Sequence, residues 1–212
     1  MRHALTLSLA AAATLIALQA QAAEQTRSVA PFTAVSNSGP VNLHIEVGKA
    51  QSVVVSGTDD LVQDLQTEVV GSELKLHMRR DTTTFNRHHD ELNVTITVPQ
   101  LTAFTMSGAG ETTITHMSGD SLDVRFGGAG SLKADGSVRN LTMHVGGVGS
   151  IDVRELHAES ATVNVGGVGS VKVWASNRLD ASLGGVGSLT YYGDPKTVNT
   201  SGGGLGSISK GK

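Results

Sequence analysis

The chain has 212 residues, no cysteine, 26 glycines and only 3% aromatic residues, with 16 Lys+Arg against 19 Asp+Glu. That balance leaves no basic field for nucleic acid or for an anionic membrane surface. The missing thiol excludes disulfides, thiolate metal sites, a cysteine nucleophile and a lipidated N-terminal cysteine, while abundant glycine with few aromatics points to repeated small coils rather than a conventional globular core.

The N-terminus reads as an export address. Met1-Arg2-His3 is a short basic start, residues 4–18 form an apolar run too short to span a bilayer comfortably, and Ala20-Gln21-Ala22 offers a small-x-small cleavage site. Residues 1–22 are therefore expected to be a signal peptide, residues 23–29 an N-terminal tail, and residues 30–212 a single domain with no further membrane span. A periplasmic, secreted or cell-surface location follows.

Residues 30–100 are strand-like without an obvious repeat. Val41 to Val47, Glu73 to Met78 and Leu92 to Val98 alternate apolar and polar side chains, with turns at Gly39-Pro40, Val47-Gly48-Lys49 and Gly71-Ser72. Asp59 to Gln66 fits one short helical turn. Asp81 to Asp90 is polar and turn-rich, hence a surface loop. These strands are expected to form irregular opening coils of the same core.

From residue 101 to 208 a glycine motif recurs. The copies begin at Ser107-Gly108-Ala109-Gly110 and continue through Gly127-Gly128-Ala129-Gly130, Gly146-Gly147-Val148-Gly149, Gly166-Gly167-Val168-Gly169 and Gly184-Gly185-Val186-Gly187 to Gly203-Gly204-Leu205-Gly206. The last glycines stand 18 to 20 residues apart, the size of one solenoid coil. Between them, segments such as Leu141-Thr142-Met143-His144-Val145 and Ala161-Thr162-Val163-Asn164-Val165 alternate with period two. A second short strand follows each motif, as in Ile151-Asp152-Val153 and Val171-Lys172-Val173. The expected fold is all-β, a parallel β-helix. Its inward ladder is Leu132, Ile151, Val171, Leu189 and Ile208, its outward ladder Lys133, Asp152 and Lys172, and its structural bends Gly110, Gly130, Gly149, Gly169, Gly187 and Gly206. Thr200, Gly202 and Lys210 in the last coil read as a polar cap that favours a monomer, with end-to-end dimerisation through the same edge as the rival.

The order of these features resembles the GIN-domain family of auto-transporter adhesin heads. Phe32-Thr33-Ala34-Val35, Val53 to Gly57, Leu74-Lys75-Leu76, Val94 to Pro99, Met106 to Gly110 and the repeated Gly-x-Gly coils follow in the family's sequence over residues 30–208. The resemblance implies a right-handed β-helix in an envelope or secreted protein. It brings no catalytic residue or cofactor, and the chain shows no translocating barrel segment beside the head.

Candidate chemistries are few. The glycine motifs lack the following helix and Lys-Ser/Thr of a phosphate loop. They also lack the aspartate that calcium-binding Gly-Gly-x-Gly repeats place two residues on, where this chain has apolar Leu132, Ile151, Val171, Leu189 and Ile208. His88-His89-Asp90-Glu91, with His77, is a metal candidate, but adjacent histidines on an extended chain point apart and a solvated loop is favoured. A glycan-cleaving β-helix needs convergent carboxylates, whereas Asp123 and Asp180 share an outward column three coils apart, about 14 Å. The column Arg125, His144, Asn164, Ser182 beside it holds no carboxylate pair. No catalytic residue, metal or cofactor is expected. Arg154, Trp174 and Tyr192 each follow a coil's last glycine by five residues. Stacked on successive coils, they would form an exposed Arg–aromatic strip suited to a sugar ring or a partner loop. The sequence thus favours a non-enzymatic adhesion or interaction module binding an envelope glycan or protein, with a glycan-active enzyme as the alternative.

Overall fold

In the computed structural model, residues 23–79 and 91–212 are described. The expected signal peptide and the loop carrying His88, His89 and Asp90 lie outside the described residues.

The described chain is nearly all β and winds into a solenoid of about 5 turns. Its regular part consists of β9 (Ala109–Phe126), β10 (Ala129–Val145), β11 (Val148–Val165), β12 (Val168–Leu183), β13 (Val186–Tyr192), β14 (Thr197–Gly202) and β15 (Leu205–Lys210). From β10 on, each strand pairs in parallel on the coil before it. The period-two alternation dictates this outcome. Odd positions of each segment turn inward and are buried, and a single coil buries too little to stand alone, so stacking closes the core. Leu132, Ile151, Val171 and Leu189 form one fully buried ladder. Each such side chain contributes about 1.5–3 kcal/mol. A second ladder tapers, from Phe126 through Val145, Val165 and Leu183 to Gly202.

The short strand after each glycine motif and the strand before the next are not separate elements. They run on as one bent strand of 16 to 18 residues in β9 to β12. The unequal coil lengths are absorbed at register shifts, between Lys133 and Asp135 and between Val153 and His157. Such bulges bend a strand while the rest of the ladder stays paired.

The glycines make the bend by close approach. A Cβ on Gly130 would lie 1.9 Å from the carbonyl oxygen of Gly110, and Gly130 itself has φ +138°, which side chains disfavour. The first glycine of each motif is different: a Cβ on Gly146 meets nothing within 4 Å. That explains why the first copy carries Ser107 there.

The first half joins the stack out of chain order. It comprises β1 (Ala23–Thr26), β2 (Ala34–Asn37), β3 (Asn42–Val47), β4 (Ser52–Gly57), α1 (Asp59–Asp64), β5 (Leu65–Val70), β6 (Glu73–Met78), β7 (Asn93–Val98) and β8 (Ala103–Met106). The coil of β2 and β3 is sandwiched in parallel between β8–β9 on one side and β6–β7 on the other. Ser38-Gly39-Pro40-Val41 sits directly under Ser107 to Gly110: Pro40 bridges Ala109, and Gly39 presents its carbonyl oxygen to Gly108. It is a degenerate copy of the motif, which the sequence shows only as a turn.

Beyond that, the opening strands depart from coil geometry. β4 pairs antiparallel with β7, and β5 with β6. Ala23 to Thr26, expected as tail, is an edge strand antiparallel on β4. Arg27 then ties this edge down by donating to the carbonyls of Val62 and Leu65.

At the other end, β14 is exposed throughout and β15 almost so. Thr200 and Gly202 occupy the last inward rungs, and Lys210 pairs with Asp194. The end is not wholly polar, however, since Val198 and Leu205 are exposed there.

Candidate functional site

The expected strip of Arg154, Trp174 and Tyr192 is only partly a ladder. Trp174 and Tyr192 are in register on β12 and β13. Arg154 is not beneath Trp174, because β11 bulges there: pairing passes from Val153–Val173 directly to His157–Trp174. Counting five residues from each glycine fails across this insertion. The signal that locates the true partner is the alternation itself, since Leu156-His157-Ala158 matches Val173-Trp174-Ala175 in its in–out–in pattern, with Leu156 and Ala158 buried.

His157 therefore takes the rung below Trp174, and the two rings stack at 4.4 Å between centroids, tilted by 30°. The opposite side of Trp174 is closed by backbone. Gly193 adopts φ +94°, and a Cβ there would fall 2.6 Å from a Trp174 ring carbon. Gly211 packs against the Tyr192 ring in the same way. Arg154 still joins the group from its bulge, with its guanidinium 6.0 Å from the Tyr192 ring centroid and 2.9 Å from the Asp152 carboxylate. Asp152, with Tyr192 adding to it, holds the Arg154 proton more tightly than usual. Asp152 also meets Lys172 on the next coil at 3.4 Å, one cross-coil ion pair within the outward charge ladder.

This corner separates two surface concavities. One, about 540 Å³, is bordered by Gly119, Ser137, His157 and Trp174, with Asp120, Arg139 and Glu159 at its rim. The other, about 440 Å³, is bordered by Arg154, Tyr192, Lys210 and the far side of the His157–Trp174 pair. Both volumes lie in the range of small-ligand sites, about 300–1,000 Å³.

The outward carboxylates are arranged for ion pairing. Asp123 and Asp180 do share a column, through Thr142 and Thr162. Asp123 faces Arg125 at 3.1 Å. Asp180 accepts from Arg178 and from Asn199, and these bonds hold its carboxyl below the ordinary carboxylate range. A general acid needs the opposite shift. Beside this column, Ser182 donates to Asn164 at 2.7 Å. Among the described residues no group of three His, Asp or Glu side chains is placed to hold a metal ion.

One surface feature has no counterpart in the sequence reading. The residue between the last two glycines of each motif points outward, so Val148, Val168, Val186 and Leu205 form an exposed aliphatic ladder. Beside it the serines that follow each motif, Ser131, Ser150, Ser170, Ser188 and Ser207, are in register, with the Ser150 and Ser170 hydroxyls 3.3 Å apart.

Comparison with known proteins agrees with this architecture. The sequence pattern of the family described as "Putative auto-transporter adhesin, head GIN domain" matches residues 31–195. A crystal structure of a "putative adhesin" from Bacteroides fragilis is similar over 91% of this chain and 98% of its own, with 24% identity and a TM-score of 0.69. A "putative lipid binding protein" from Parabacteroides distasonis is similar over 91% of this chain and 98% of its own, with 22% identity and a TM-score of 0.50. At these identities the likeness is one of fold. No curated protein matches the chain.

Proposed function

The chain belongs to the GIN-domain family of auto-transporter adhesin heads, and from that premise we propose that it is an exported, non-enzymatic interaction module of the cell envelope that binds through its lateral corner. The observation that carries this reading is the His157–Trp174 stack, set between two ligand-sized concavities and flanked by Arg154 and Tyr192. The adhesin names borne by the family and by the Bacteroides protein point the same way. Among the described residues no helix is long and apolar enough to cross a membrane. The ion-paired state of Asp123 and Asp180 favours binding over glycan cleavage.

Aromatic rings with an arginine at a rigid surface are the usual anchors of recognition. The solenoid supplies the rigidity, since each rung is fixed by the coils on either side. The partner is an envelope glycan or protein. The test is retention of the protein on immobilised envelope fragments. Arg154→Glu, which reverses charge at an exposed position, is expected to cut retention at least tenfold. Equal retention of both proteins would sink the proposal.

A further inference from the structure

The outward ladder at this corner changes character abruptly along its length. Read from one end, the rungs in register are Tyr192, Trp174, His157, Ser137 and Ser118. Three rings are followed by two small exposed hydroxyl side chains. Trp174 is covered on both sides, by His157 and by Gly193, and Tyr192 is packed against Gly211. The ring of the stack that looks along the ladder over vacant rungs is His157. The space it faces is the 540 Å³ concavity, lined by Ser137 and Gly119 among others.

Successive rungs stand about 4.8 Å apart. A flat ring placed over Ser137 would therefore lie at stacking distance from His157 and continue the series. Polar groups surround that place. Asp120 and Arg139 form a 3.1 Å ion pair at the rim, and Glu159 stands on the neighbouring rung position. Together they offer hydroxyl acceptors and a fork of donors, while the two carboxylates outnumber the one guanidinium. An anionic ring is repelled by that excess. A ring with one apolar face and equatorial hydroxyls matches both the stacking surface and the rim.

The geometry points to a seat for one pyranose ring of a neutral glycan, stacked on His157 above Ser137 and hydrogen-bonded at its edge by Asp120, Arg139 and Glu159. This rests on the reading of the corner as the contact surface and gives it a ligand class. The seat lies on the opposite side of the His157–Trp174 pair from Arg154, so the two can be tested apart.

The experiment is an NMR titration of His157 ring resonances in the whole protein with a neutral β-1,4-linked glucose tetramer and, separately, with a galacturonate tetramer. The neutral sugar is expected to shift His157 saturably and the uronate at least tenfold more weakly. Ser137→Phe fills the seat with the protein's own ring, and His157→Ala removes the stacking face. Each is expected to weaken neutral-sugar binding at least tenfold, the latter read from Trp174 fluorescence. Silence of His157 toward the neutral sugar, undiminished binding in Ser137→Phe, or equal binding of the uronate would each overturn the seat. Lost sugar binding with intact envelope retention removes the seat alone. Intact sugar binding with Arg154-independent retention removes the adhesion reading alone.

Discussion

Gly169 lies so close above Gly149 that a Cβ on it would fall 1.8 Å from the Gly149 carbonyl oxygen, with φ at +146°. The same approach recurs from Gly187 to Gly169. The motif is therefore a stacking device, in which one coil's backbone occupies the place where the next coil's side chain would be. The backbone of the motif is engaged in the same stacking, as where the Val148 amide donates to Gly128 and the Val168 amide to Gly147.

Gly169→Ala should break the stack, while Gly166→Ala should not. At Gly166 the nearest atom to an added Cβ is 4.0 Å away, and Ser107 already fills the equivalent place. The expected loss for Gly169→Ala exceeds about 4 kcal/mol, a large part of the 5–15 kcal/mol typical of a domain. Urea unfolding of the two variants checks it. Comparable midpoints would show that the backbone can relax around the added carbon.

The in–out register predicts a second contrast. Val171 is 2% exposed, whereas its neighbour Lys172 points outward to Asp152. Val171→Asp buries a charge with no partner and should prevent folding at room temperature. Lys172→Ala removes one exposed ion pair and should cost about 0–1 kcal/mol. Circular dichroism of both proteins decides it, and similar behaviour would mean the two faces are exchanged.

This contrast also marks what could be read from sequence. Leu141-Thr142-Met143-His144-Val145 declares its inward face by chemistry alone, and the glycine spacing fixes which coils stack. The place of β2 and β3 could not be read, because a parallel strand's partner is chosen by distant contacts and Ser38-Gly39-Pro40-Val41 has lost the motif's last glycine. The Arg154–Trp174–Tyr192 corner was half legible. Trp174 and Tyr192 follow their glycines by equal counts, but the bulge at Arg154 to Leu156 moves His157 into the ladder, and only side-chain alternation records that move.

Gly193→Ala should displace Trp174 without unfolding the protein. The added carbon would overlap the indole, which sits at the surface and can swing outward into the neighbouring concavities. A red-shifted, more quenchable Trp174 fluorescence is expected, with loss of the His157 stack. Unchanged emission from this sole tryptophan would show that Gly193 does not hold the ring.

Asp180 provides a pH test of the outward face. Hydrogen bonds from Arg178, and then from Asn199, lower its carboxyl below the ordinary value. A carboxyl depressed in the folded state favours folding at pH above its unfolded value, and that contribution is lost as pH falls through the folded value. Both bonds are at the surface, so the effect on stability is small, but the titration itself is direct. Followed by carboxyl-carbon NMR, Asp180 should titrate below an ordinary aspartate. Arg178→Ala should move it up the most and Asn199→Ala less, because Arg178 makes the larger contribution. If Asp180 instead titrates above the ordinary range, it has the proton affinity of a general acid, and the case for a binding module over a glycan-cleaving enzyme loses its electrostatic support.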